Sequence, residues 1–184
     1  MERLETARLI LRPWRLTEED AADLYAYARD PRVGPITGWP VHRSMEDSWS
    51  VLREFVKDED EWAMEYRASG RVIGAIGLHR RCPDEATEYL PHRELGYCLH
   101  PAFWGGGIMT EAATCALSYG FGRLALRIVW CGHYDGNSRS RRVIEKCGFR
   151  YRFSRVEPVP LLQEEREAHY YSLTKEEWLV WQSR

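Results

Sequence analysis

Glu94-Leu95-Gly96-Tyr97-Cys98-Leu99-His100-Pro101-Ala102-Phe103-Trp104-Gly105-Gly106-Gly107-Ile108-Met109-Thr110-Glu111 is the stretch whose reading decides the fold. Leu95, Tyr97 and Leu99 alternate with Glu94, Gly96, Cys98 and His100 until Pro101 ends the run, which is the period of a strand. From Met109 the spacing changes to Ala112, Ala113, Ala116, Leu117 and Phe121, the period of a helix, and three consecutive glycines join the two. A helix that opens straight after glycines offers unpaired backbone N–H groups and the positive end of its dipole, with no Cβ atom to hold an anion away. The spacing therefore predicts a phosphate-bearing ligand. A nucleoside-triphosphate loop needs Lys and Ser/Thr after its last glycine, where this chain has Ile108 and Met109. A dinucleotide fingerprint needs a glycine where Thr110 stands.

With 184 residues the chain has the length of one domain, residues 1–184, with room for a full core. An apolar content of 44% and a charged content of 29% are those of an ordinary globular protein. The net charge of -2 gives no basic surplus for neutralising phosphates, so no nucleic-acid partner is expected. The five cysteines are odd in number and never spaced C-x-x-C, which argues against a disulfide framework and a zinc site and for a reducing cytoplasm. No apolar run is long enough to span a bilayer, and Met1 to Glu5 lacks the apolar core of a leader, so no membrane partner is expected.

Outward from the central stretch, the periods predict a strand over Leu4 to Trp14. A helix follows, capped by Thr17 with Asp20 and striped by Ala21, Leu24, Tyr25 and Ala28. Pro31 to Arg43 reads as a loop. A second helix starts at Ser44, with Met45, Trp49, Leu52 and Val56 on one side. Trp62 to Leu78 is a hairpin turning at Ser69-Gly70, and Arg81 to His92 is a polar connector. Leu126 to Cys131 is a buried strand, and Asn137 to Cys147 a helix closed by Gly148. Strands over Tyr151–Val156 and Ala168–Leu173 are separated by a connector from Glu157 to Glu167, and Thr174 with Glu177 caps a last helix.

Trp104 to Ala112 resembles the acyl-CoA loop of the GNAT acetyltransferases, in the form Trp-Gly-x-Gly-x-x-Thr-Glu-Ala typical of the branch similar to ribosomal-protein N-terminal acetyltransferases (RimJ/RimL-like). Thr6 to Arg12 resembles that branch's opening Thr-x-Arg-Leu-x-Leu-Arg, and Asn137 to Phe149 resembles its Asn-x-x-Ser-x-x-(apolar)-(apolar)-x-Lys-x-Gly-Phe. The resemblance implies an α/β (α+β) fold: a mixed, mostly antiparallel twisted sheet with helices on both faces and a splayed central strand. It implies acetyl-CoA as co-substrate, no metal, and an amine acceptor attacking directly in a ternary complex, by a monomer or homodimer. The cofactor-binding residues implied are Cys98, Leu99, His100, Trp104, Gly105, Gly106, Gly107, Ile108, Met109, Thr110, Asn137 and Ser140. The backbone N–H near Cys98 would polarise the thioester, Asn137 would hold the pantetheine amide, and Ser140 would sit by the sulfur. Where the wider superfamily often carries Gln or Arg, this chain has Ala102, so backbone N–H groups alone would hold the pyrophosphate there.

Residue chemistry adds the proton handling that acyl transfer to an amine requires. Glu94, at the start of the strand on the face of Gly96 and Cys98, is the general-base candidate, with a salt bridge or a solvated strand end as its structural alternative. His79, His100 and His133 also fall at strand ends. Ser140 and Tyr134 are the proton-donor candidates. Gly96 in a strand interior marks either the splay or room for a neighbouring aromatic ring, and Asn137 alone also suits a helix cap. Trp39 and Trp49 are candidates for the acceptor wall. The acceptor implied by the branch is a protein N-terminal α-amine. The alternatives are a small-molecule amine (amino acid, polyamine or antibiotic) and a non-catalytic acyl-CoA-binding regulatory domain.

Overall fold

The computed structural model describes residues 1–183. Its strands are β1 (Leu4–Glu5), β2 (Leu9–Pro13), β3 (Glu61–Tyr66), β4 (Arg71–His79), β5 (His92–Leu99), β6 (Ile128–Tyr134), β7 (Arg150–Val159) and β8 (Glu164–Thr174). Its helices are α1 (Glu18–Ala28), α2 (Gly34–Thr37), α3 (Met45–Asp58), α4 (Ile108–Gly122), α5 (Ser138–Lys146) and α6 (Lys175–Gln182). The strands form one sheet in the order β1-β2-β3-β4-β5-β6-β8-β7. Only β5 and β6 run parallel, because α4 carries the chain back between them.

Both sheet faces are covered. Ala63, Val72 and Ala75 pack with Ala21, Leu24 and Leu52 of α1 and α3. On the other face Ile76, Leu95, Leu99 and Val129 pack with Ala113 and Leu117 of α4, Ile144 of α5 and Trp178 of α6. One strand serves both faces out of phase because it bulges: Ala63 pairs with Ala75 but Glu65 pairs with Val72. The extra residue puts Val72 with Ala75 on one side and Ile73 with Ile76 on the other.

The splay lies between β5 and β6. Their pairing stops at Leu95↔Cys131. Beyond it β5 continues along β4 to Leu99↔Gly74, and β6 continues along β8 to Tyr134↔Ala168. The two strands diverge in a wedge. α5 ends as its sequence reads, with Gly148 at φ +85° and the N–H groups of Gly148 and Phe149 returning to the carbonyls of Glu145 and Ile144.

Several expected elements differ. The first strand is two, because the Thr6 hydroxyl accepts the Leu9 N–H at 2.9 Å and turns the chain at Ala7. Thr17 caps α1, but Asp20 does not return the bond. Its carboxylate takes the Arg12 fork at 2.7 and 2.8 Å instead. Tyr27 rather than Tyr25 is fully buried on α1, and Met45 of α3 is exposed. The Pro31–Arg43 loop contains α2, and Gly38 turns the chain there at φ +100°. The Glu157–Glu167 connector is the end of a β7–β8 hairpin, paired from Glu157↔Arg166 to Val159↔Glu164. Apart from the buried Val159 that hairpin end is largely exposed, so most of its positions do not select apolar residues and the strand period is lost.

Candidate active site

The wedge exposes main chain. The His100 N–H bonds the Ile73 carbonyl at 2.8 Å, and the Pro91 carbonyl accepts from Arg127 at 2.7 Å, so even-numbered β5 residues face β4 and odd-numbered ones face β6. The backbone of Tyr97 and Leu99 therefore points into the gap, while the Cys98 N–H is spent on β4. The strand N–H groups near Cys98 that face the gap are thus those of Tyr97 and Leu99. The Leu99 carbonyl accepts the Trp104 Nε1 proton at 2.8 Å, tying the ring of the glycine motif to the strand end.

Gly105 and Gly107 hold φ of +79° and +73°, a region costly for other residues, and α4 starts at Gly107 with no side-chain cap. A cleft of about 340 Å³ lies against these turns, lined by Cys98, Leu99, Trp104, Gly105 and the first turn of α4 from Ile108 to Thr110. Asn137 and Ser140 close it at the α5 end, and Arg32, Arg139, Arg142 and Lys146 surround it with positive charge. Lys146 is the lysine of the second motif, whereas Arg32, Arg139 and Arg142 occupy no motif position and could not be singled out from spacing. Uncapped N–H groups, glycine turns and a cationic rim fit the phosphates of acetyl-CoA. Gly106 and His100 stand outside the lining: the Gly106 carbonyl accepts from Arg8 at 2.8 Å, and His100 Nδ1 accepts the Ala102 N–H at 3.1 Å.

The loop is braced from far away in sequence. The Glu111 carboxylate accepts from the Thr6 hydroxyl at 2.6 Å, the Arg8 N–H at 2.9 Å and Arg8 Nε at 2.6 Å. The opening motif and the glycine motif are thus two halves of one network.

At the start of α5, Asn137 Oδ1 accepts the Ser140 N–H at 3.1 Å, so the asparagine does cap the helix and keeps its amide N–H groups for the cleft. Ser140 Oγ lies 2.9 Å from the hydroxyl of Tyr97. Sequence reading placed Tyr97 only as a strand residue.

A second cavity, of about 930 Å³, opens on the other side of the gap between Trp39, α3 and the β7–β8 hairpin. Trp39 lines it, whereas Trp49 packs into the core beneath α1 and α3. Glu94 faces it without a hydrogen bond or ion pair among the described residues. Burial raises its carboxyl above the usual range, with the Arg81 charge pulling back. His79 Nδ1 meets Asp60 at 3.1 Å, and its ring lies over Gly77 and Gly96, where a Cβ would come within 2.7 and 2.8 Å of it. Gly96 therefore makes room for an aromatic ring, and the strand also splays. Burial lowers the His79 pKa, which favours the neutral ring. Glu61, unmarked in the sequence, faces the same cavity with its carboxyl pushed up to about 8 by burial and by Asp60. Tyr134 and His133 line the β6 side, and Arg166 stands 5.6 Å over the Tyr134 ring.

The two cavities share Ile36 and Thr37 of α2 with Tyr97, Cys98, Asn137 and Ser140 as common wall. Cys98 is no nucleophile there, since burial pushes its thiol up to about 12. Among the described residues no His/Cys/Asp/Glu cluster could hold a metal ion, and no helix is long and apolar enough to cross a membrane.

Comparison with known proteins agrees with this geometry. The acetyltransferase (GNAT) domain model matches residues 8–150. The uncharacterized N-acetyltransferase YoaA of Bacillus subtilis is 31% identical over 151 residues, covering 79% of this chain and 81% of its own length. YdaF of Bacillus subtilis, named as a candidate ribosomal N-acetyltransferase, is 33% identical over 109 residues, 59% of this chain and 57% of its own. The crystal structure of a GNAT-family acetyltransferase from Bacillus anthracis superposes with a TM-score of 0.82 at 22% identity, covering 95% of this chain and 99% of that one. The chain belongs to the GNAT acetyltransferase family and is an acetyl-CoA-dependent N-acetyltransferase.

Proposed function

We propose that this enzyme acetylates the α-amine of a protein or peptide N-terminus, with both substrates bound together and the amine attacking directly. The observation that carries the direct route is the common wall: two cavities open onto the same six residues from opposite sides of the gap. Acetyl-CoA supplies an activated acyl group there, and the chain's residues orient it and handle protons. The Cys98 thiol, pushed up to about 12, offers almost no thiolate at neutral pH to attack the acetyl thioester.

In this reading the backbone of Gly105, Gly107 and the first turn of α4 holds the pyrophosphate. The free Asn137 amide holds pantetheine, and the Tyr97 and Leu99 main chain faces the thioester. Glu94 draws the amine proton through a water. Ser140 donates to the departing sulfur, and Tyr134 is the other proton donor in the site. An α-amino group has a reference pKa near 8 against about 10.4 for lysine, so it demands less of a base. The acceptor cavity of about 930 Å³ is near the top of the range for small-molecule sites, which leaves room for residues behind the amine. The name of the relative YdaF points the same way. The five unpaired cysteines support a reducing compartment, the cytoplasm.

The test is steady release of free CoA from acetyl-CoA with peptides whose N-termini are free or blocked. Turnover is expected with the free peptides only. A higher kcat/KM with a polyamine, an amino acid or an aminoglycoside would replace the acceptor reading and leave the donor reading standing.

A further inference from the structure

Tyr97 lies on the α4–α5 side of β5, at the level where β6 has parted from β5, and its hydroxyl reaches the first turn of α5. It stands 2.9 Å from Ser140 Oγ and 3.2 Å from the Ser140 carbonyl oxygen. The carbonyl has a partner of its own in the helix, the Ile144 N–H four residues on. The serine hydroxyl has no helical partner. A phenol has one proton to give, and where it goes decides what Ser140 can do. Given to the carbonyl, it leaves the phenol oxygen as acceptor, and the serine proton is spent on it. Given to Oγ, it leaves the serine proton free for the cleft wall that both cavities share.

We propose that Tyr97 is a positioning residue for acyl transfer: its phenol donates to Ser140 Oγ and so directs the serine hydroxyl's own proton at the departing sulfur. Burial and the neighbouring Cys131 hold the phenol protonated far above neutral pH, so Tyr97 passes no proton on. It acts by polarising Ser140, as linked hydrogen bonds do in a water-poor site. This role rests on Ser140 serving the leaving group.

The test is a double-mutant cycle of Tyr97→Phe and Ser140→Ala, reading kcat and the KM for acetyl-CoA with a peptide acceptor, and the thermal midpoint of each protein. Ser140→Ala is expected to lower kcat by about 10² to 10³, as loss of a transition-state donor does. Tyr97→Phe should lower kcat about tenfold with KM unchanged, the size of one ordinary hydrogen bond. The double variant should match Ser140→Ala alone. If Tyr97→Phe keeps wild-type kcat while Ser140→Ala falls, the Tyr97 role is wrong and the Ser140 role stands. A double variant lower than Ser140→Ala by the full Tyr97→Phe factor would mean that Tyr97 acts independently of Ser140, and overturns the proposal. Near-normal kcat in Ser140→Ala overturns both roles, while acetyl transfer to the peptide stands.

Discussion

The two sides of the gap are built differently. The donor cleft is made of main chain: glycine turns, the uncapped end of α4 and the open edge of β5. The acceptor cavity is made of side chains that converge from β3, β4, β5, β6, α3 and the β7–β8 hairpin, and its lining is titratable. Main chain cannot change charge, so the donor side should be indifferent to pH near neutrality and sensitive to steric change. The acceptor side should be the reverse.

The largest separation of the two is expected from Glu94→Gln. Removing a general base typically costs about 10² to 10⁴ in rate. Burial raises the Glu94 pKa, and only the ionised carboxylate accepts a proton, so wild-type kcat/KM should climb with pH through that raised value and then level. The variant should lose that limb and keep its CoA affinity by calorimetry. Retention of the limb would move the base to His79, whose ring faces the same cavity.

Gly107→Val probes the other side. A β-branched residue at φ +73° is strained, and its side chain would stand where an anion must approach. CoA affinity should fall on the order of a hundredfold, and the backbone strain, about 1–3 kcal/mol, should also lower the thermal midpoint without unfolding the protein, since an added Cβ meets nothing nearer than Arg8 Nη2 at 3.7 Å. Unchanged affinity would leave the glycines as turn residues only.

Arg8→Ala is expected to act in the same direction but less. It removes the bonds to Gly106 and Glu111 that tie the glycine loop to the turn before β2. Partly exposed ion pairs contribute about 1 kcal/mol or less, so a severalfold loss of CoA affinity is the expected size. No change in affinity would make the brace dispensable.

The last expected effect is on stability rather than on rate or affinity. Burial and Asp60 push the Glu61 carboxyl up to about 8 from its ordinary value of 4.5, so the folded state binds this proton more tightly than the unfolded chain does. Its contribution is full below the unfolded value and is lost as pH rises through about 8. Glu61→Gln should therefore raise the thermal midpoint more at pH near 9 than at pH near 5. An equal shift at both would show that Glu61 is not perturbed in the fold.

How much was legible follows the same division. Trp104 to Ala112 and Asn137 to Phe149 are contiguous, and each residue acts through its own backbone or its place on one helix end, so spacing reveals them. The Arg8–Glu111 brace joins residues 103 positions apart and could be guessed only from the two motifs together. Glu61 and His79 line one cavity because β3, β4 and β5 lie side by side, which nothing in their local sequence encodes. Tyr97 carries the signature of a core strand residue, and its phenol reaches Ser140 only because β6 turns away after Cys131. The end of the β7–β8 hairpin is largely exposed and lost the alternation that would have marked it.

In the proposed reaction donor and acceptor meet across one gap and react without an acyl-enzyme. Initial velocities with acetyl-CoA and a peptide both varied test it most directly, alongside the intact mass of the enzyme after incubation with acetyl-CoA alone. Intersecting double-reciprocal lines and an unchanged mass are the predicted result. Parallel lines, with the mass of one acetyl group added at Cys98, would contradict it.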